Sequence, residues 1–200
     1  LQASPMNIVL FGRPGAGKGT QGKLIAKEYD LLYISTGKLF RDEIRNGTEI
    51  GREAAAFMEQ GTLVPDRIVI KLIEKKIKMN PMAKGFVFKG FPRTMVQAYI
   101  LKGLLRKRRS SISCMIDISV PMLDCMKRLS ERGKTEEARP YDRDVEMVIQ
   151  RMEEYQEKTV PVSSYYYKRN KVLTVDGKGT PESVFENVKE VVDRTFRNVR

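Results

Sequence analysis

The chain has 200 residues, 41% of them hydrophobic and 31% charged, enough for one compact unit with a sizeable core. Its 37 Lys and Arg against 25 Asp and Glu leave a net charge of +12, a field that attracts mononucleotides and nucleic acid alike. The absence of histidine excludes a Ser-His-Asp triad and any imidazole acid or base, and two cysteines, Cys114 and Cys125, are too few for a zinc cluster or a disulfide framework.

Leu1 to Pro5 show no periodicity and read as a tail or fusion remnant, which leaves 6–200 as a single domain. No stretch approaches the roughly 18 apolar residues of a membrane span, and no basic-then-apolar secretory pattern opens the chain, so a cytoplasmic protein is expected. The strand MNIVLF (6–11) is followed by a Gly-rich turn, a helix over 19–29 and the strand LLYI (31–34). Helices are predicted over 38–46, 49–60 and 66–78, then the strand GFVFKG (85–90) and a helix over 94–107. SCMIDIS (113–119) is a strand, 121–132 and 142–168 are helices, and KVLTV (171–175) and a helix over 181–196 finish the chain. Short apolar runs joined through helices imply a parallel sheet of five strands covered on both faces, a three-layer α/β/α architecture.

Two insertions break this rhythm. Residues 35–64 add helices where one crossover would suffice, and 133–140 (GKTEEARP) are polar and irregular; both read as covers over a site, set in a core of 6–34, 65–132 and 141–200. The run Lys102 to Arg109 could serve as a nucleic-acid patch, but its place at the polar end of a predicted helix favours a solvated face.

The strongest local signal is Gly12-Arg13-Pro14-Gly15-Ala16-Gly17-Lys18-Gly19-Thr20, directly after a strand and opening a helix, which is the context a P-loop requires. Its glycines let backbone amides converge on a phosphate at a helix N-terminus, and Lys18 adds a mobile cation. Gly19 stands where a hydroxyl residue usually follows the lysine, and Thr20 comes one place later. The motif says nucleotide phosphate and does not name the acceptor.

Ser35-Thr36-Gly37-Lys38-Leu39-Phe40-Arg41, then Gly61-Thr62-Leu63-Val64-Pro65-Asp66, then Gly90-Phe91-Pro92-Arg93-Thr94 with Gln97, follow in order. Together with GRPGAGKGTQ they resemble the motif set of the adenylate kinase family over residues 6–196. The resemblance implies a P-loop fold with an AMP-binding insertion and a short lid, and a reversible in-line transfer from ATP to AMP giving two ADP, without a covalent intermediate. Lys18, Arg93, Arg132, Arg139 and Arg151 resemble the catalytic cations. Gly15, Ala16, Gly17, Lys18, Gly19, Thr20, Arg128, Arg132 and Gly179 resemble the ATP site, with Arg128 stacking on adenine. Thr36, Gly37, Arg41, Leu63, Val64, Gly90, Arg93, Gln97, Arg139 and Arg151 resemble the AMP site. Mg²⁺ is expected as Mg-ATP, held by phosphates and water and not by the protein, with no structural zinc in so short a lid. A monomer is expected, without a specific nucleic-acid or membrane partner. Thr36 and Gln97 favour adenine over the bases taken by UMP or CMP kinases, which stay as an alternative.

Two positions depart from the family pattern. Lys38 and Lys89 stand where aspartates are usual, and the second aspartate orients water on Mg²⁺. Lys38 reads as an exposed helix lysine. A unit charge about 6 Å from a dication is worth about 5 kcal/mol at an effective dielectric near 20, so Lys89 leaves open a nucleotide-binding member with impaired turnover. Its ammonium could also swing away, or bind phosphate oxygens itself.

Overall fold

The protein is described by a computed structural model over residues 5–197; Leu1 to Ser4 of the expected tail and 198–200 lie outside the described residues. Strands β1 (Met6–Phe11), β2 (Leu32–Ser35), β3 (Gly85–Lys89), β4 (Cys114–Ser119) and β5 (Val172–Asp176) form one sheet in the order β2-β3-β1-β4-β5. All pairings are parallel, with Leu10 opposite Lys89, Ser35 opposite Lys89, and Phe11 opposite Asp117. Residues 7–11 of β1 are buried throughout because the sheet is covered on both faces. Alternation then splits the strand between two cores: Val9 and Phe11 join one cluster, Ile8 and Leu10 the other.

The first core lies under α2 (Thr36–Arg45), α3 (Glu49–Glu59), α4 (Asp66–Lys78) and α5 (Met95–Lys107), with Ala54, Ile73 and Leu101 fully buried. The second lies under α1 (Lys18–Glu28), α6 (Met122–Arg132), α7 (Val145–Glu154) and α9 (Pro181–Arg197), through Ile25, Leu129, Met152 and Val188. Asn7 fixes the start of β1, donating from its side chain to Ser111 O (2.9 Å) and from its backbone amide to Ser113 Oγ (3.0 Å). Local caps set the helix starts: Thr48 accepts from Gly51 N, Thr94 from Gln97 N, and Asp144 from Glu146 N.

The helix expected over 142–168 is not continuous. Pro140–Arg143 form a tight 3₁₀ turn, α7 ends at Glu154, Tyr155–Thr159 widen into a π turn, and α8 (Val160–Tyr167) completes the run. The cause is Pro161, which lacks an N–H and sits in the first turn of α8. The amide of Val160 reaches back five residues to Tyr155 O, and the freed Thr159 hydroxyl donates to Arg93 O at 3.1 Å. The basic run ends α5 as a solvated face, with Lys102, Arg106, Lys107 and Arg109 exposed. Arg108 donates to Pro81 O (2.8 Å) and lies over Phe86.

Insertion helices α2 and α3 meet so closely that a Cβ on Gly51 would stand 2.3 Å from Glu43 O. Gly51→Ala is expected to destabilise the protein by about 1–3 kcal/mol, read as a lower denaturant midpoint at unchanged slope. An unchanged midpoint would contradict this packing.

Candidate active site

The chain leaves β1 through a turn that only glycine accommodates. Gly12, Gly15 and Gly17 have φ of 137°, 86° and 93°. A Cβ on Gly12 would lie 2.7 Å from Ile118 O, and one on Gly15 would lie 2.6 Å from Cys125 O. Helix α1 then begins at Lys18 with no side-chain cap and no acidic residue in its first turn. Its leading amides and the positive end of its dipole therefore face open space, a ready anion site.

That space is a cavity of about 620 Å³, bordered by Gly15, Gly17, Lys18, Gly19 and Thr20 below and by Arg128 and Arg132 of α6 at one side. A second cavity of about 280 Å³ lies under the insertion, where Thr36, Gly37, Val64 and Gln97 line it with the apolar side chains of Phe40, Met58 and Val69. Arg41, Leu63, Gly90, Arg93, Arg139 and Arg151 border both cavities. Two sequence-predicted residues border neither: Ala16 is buried behind the turn, and Gly179 is exposed on the β5–α9 loop. Arg128 reaches the same loop at Gly177, donating to its carbonyl at 3.0 Å.

The cations crowd one another. Lys18 folds back onto Gly12 O (2.5 Å) and Arg13 O (2.7 Å), and burial, then Arg93 and Arg151, hold its pKa at about 7. Burial, then Arg151, lowers Arg93 to about 10. Arg93 is braced from two sides, its Nε donating to Gly90 O (3.0 Å) and its amide to Gln97 Oε1 (2.8 Å). Gln97 in turn donates to Asp66 Oδ1 (2.8 Å), and Thr36 donates to Gly90 O (2.9 Å). The polar pair expected to read the base thus also fixes the Gly90–Arg93 turn.

Three participants were not singled out from the sequence. Asp142, 5% exposed, takes Nε and Nη2 of Arg132 on its two oxygens at 2.7 Å each, and also accepts from the amide of Arg139 at 2.9 Å. Tyr141 accepts from Arg139 Nη1 at 2.9 Å, while the Arg151 guanidinium lies 4.0 Å from the centre of its ring. Burial opposes ionisation of that phenol, yet Arg151 and Arg139 bring its pKa below the ordinary value. Glu154 accepts from the amide of Leu63 (3.2 Å), tying α7 to the insertion. The available signal was an acid and a tyrosine in the run Arg139-Pro140-Tyr141-Asp142-Arg143-Asp144, without a spacing to interpret them. Lys38 is exposed and pairs with Asp42 at 2.8 Å, the surface role expected of it. Lys89 is 7% exposed, at the end of β3 between the two cavities.

A family model described as adenylate kinase matches residues 10–171. The chain is 43% identical to the adenylate kinase of Flavobacterium psychrophilum, over 94% of this chain and 98% of that protein. It is 41% identical to the adenylate kinase of Bacteroides fragilis over the same shares, and 40% identical to that of Azobacteroides pseudotrichonymphae over 96% of this chain and all of that protein. With a P-loop at the end of β1, the strand order β2-β3-β1-β4-β5 and arginines gathered from four distant segments, the chain belongs to the adenylate kinase family.

Proposed function

We propose that the larger cavity takes ATP, the smaller takes AMP, and the γ-phosphoryl group passes between them in line to give two ADP. The observation that carries this reading is the shared border: one P-loop cavity and one apolar cavity meet at Arg41, Arg93, Arg139 and Arg151. Donor and acceptor phosphates would approach each other there, and guanidinium forks suit their oxygens. Transfer needs no nucleophilic side chain, because positioning and charge stabilisation carry the rate.

Each group then has a task. The α1 amides from Lys18 onward, with Gly15, Gly17, Gly19 and Thr20, hold the ATP phosphates, and Lys18 turns from its two carbonyls onto them. Arg128 packs on the adenine while Arg132, aimed by Asp142, faces the phosphate chain. Arg41 and Arg93 take the AMP phosphate, and Arg139 and Arg151 surround the group in flight. Thr36, Gly37, Leu63, Val64, Gly90 and Gln97 shape the base pocket. Cys114 and Cys125 are free and buried, and no helix among the described residues is long and apolar enough to cross a membrane.

The family works on Mg-ATP. Among the described residues no group of three or more potential acidic, cysteine or histidine ligands stands together, and the end of β3 offers an ammonium. Asp117, opposite Phe11, has its carboxyl pushed up by burial against the pull of Lys18 and Arg13. With an ammonium rather than a carboxylate at the end of β3, our reading is that magnesium arrives with ATP and is held by its phosphates and water.

Coupled ADP formation should depend on AMP far more than on CMP or UMP; absence of AMP-dependent turnover would overturn the proposal. Lys89 favours one alternative, a member with impaired turnover, which predicts strong recovery in Lys89→Asp; equal rates would remove it. Arg93→Ala is expected to lower kcat/KM for AMP by about a hundredfold, about 2.7 kcal/mol, with a smaller change in KM for ATP.

The lowered lysines also make stability depend on pH. Lys18 titrates near 7 when folded and near the ordinary 10.5 when unfolded, so the unfolded chain binds more protons between these values. The penalty of a buried charge is complete below that window and is relieved as pH rises through it. Above it, Tyr29, Tyr155 and Tyr166, raised chiefly by burial, reverse the slope. The nucleotide-free protein should therefore melt higher at about pH 9 than at about pH 7, and Lys18→Met should flatten this rise. An undiminished rise in that variant would show that Lys18 is not its source.

A further inference from the structure

Lys89 is a buried cation that the proposed roles leave without a task. It ends β3 in the middle of the sheet, opposite Leu10 on one side and Ser35 on the other, and it borders both cavities. Among the described residues its ammonium has no ion pair or hydrogen bond. Its charged neighbours are Arg139 of the lid, Lys18 of α1, Arg93 of the β3–α5 turn and Arg41 of α2. Burial, then these four cations, push its pKa well below the ordinary lysine range.

The stem of Lys89 is enclosed while its ammonium opens to the two cavities among four other cations, and no internal carboxylate offsets its charge. What relieves it must come from outside, carry several negative charges, and reach the point where the two cavities join. A phosphate chain spanning both cavities meets all three conditions. We infer that the Lys89 ammonium is a direct ligand of the phosphates where the two nucleotides meet, and that its charge lets the site hold them without a divalent ion. The inference rests on the proposed two-nucleotide reading and adds to it a binding residue and a metal-independent mode of substrate capture. Lys89 supplies a point charge on a four-carbon stem, which can follow the phosphoryl oxygens between donor and acceptor positions.

Calorimetric titration with diadenosine pentaphosphate, which carries both adenosines and the joined phosphates, provides the test, run once with excess Mg²⁺ and once with EDTA. Wild type is expected to bind in EDTA within about tenfold of its affinity in Mg²⁺. Lys89→Met should weaken binding in EDTA by about tenfold or more and binding in Mg²⁺ by less than about threefold, while Lys89→Asp should make binding strongly metal-dependent. A merely structural lysine would move both conditions equally, so the ratio between them is the diagnostic. Wild type that binds only with Mg²⁺, or a Lys89→Met variant with unaltered affinity in EDTA, overturns the inference and leaves the two-nucleotide reading standing. Failure of wild type to bind the analogue under either condition sinks that reading itself. The wild-type comparison needs no variant to fold; for the variants, circular dichroism and a thermal midpoint at or above wild type are expected, since each removes an unpaired buried cation.

Discussion

Like charges held against their own repulsion are the constraint to which the rest of the molecule answers. Lys18, Lys89 and six arginines, at positions 41, 93, 128, 132, 139 and 151, border one cavity. Coulomb repulsion among them grows as water is excluded, so such a ring persists only where rigid elements over-determine each position. The parallel sheet does this for Lys89, fixed in register between β1 and β2, and for the P-loop, which continues a strand buried over residues 7–11. The two cores flanking the sheet absorb the strain, since alternate residues of β1 anchor to each. The lowered pKa of Lys18, Lys89 and Arg93 is the electrostatic imprint of that enforced proximity.

Relief comes from a small set of oxygens. Asp142 takes Arg132 in a two-pronged pair and the Arg139 amide as well, so one buried carboxylate both neutralises a cation and closes the segment 132–142 upon itself. Tyr141 offers its hydroxyl to Arg139 and its ring face to Arg151, a partial negative charge delivered without a full one. Carbonyls of Gly12, Gly61 and Gly90 take Lys18, Arg151 and Arg93 respectively. These partners hold the cations in place yet leave most of the charge uncompensated, which is the condition for strong attraction of two nucleotides. The same balance joins α7 to the insertion through polar links, Glu154 to Leu63 and Arg151 to Gly61, rather than through an apolar seam.

Much of this was legible in the chain. Apolar runs of four to six residues separated by helical periods announced the parallel sheet, and the Gly-rich turn after MNIVLF announced the phosphate cradle, because both depend on local geometry. The long helix over 142–168 was misjudged at Pro161, where a missing N–H outweighed continuous helical periodicity. Gly179, expected at the ATP site, lies exposed on the β5–α9 loop in which Gly177 accepts from Arg128, a loop detail that propensity does not encode.

By itself, the order of residues determined the strands, the helix starts and the anion-binding turn, since each follows from bonds and packing among neighbours within a few positions. It also supplied the arginines, but in a chain this basic no spacing rule separates a solvated guanidinium from one turned inward. Only the tertiary structure decided that Arg41, Arg93, Arg132, Arg139 and Arg151 converge, that Asp142 and Tyr141 manage them, and that Lys89 stands unpartnered at the meeting of two cavities. The physical reason is that electrostatic energy depends on distance through space and on exclusion of water, and both arise only when segments remote in sequence close around a common volume.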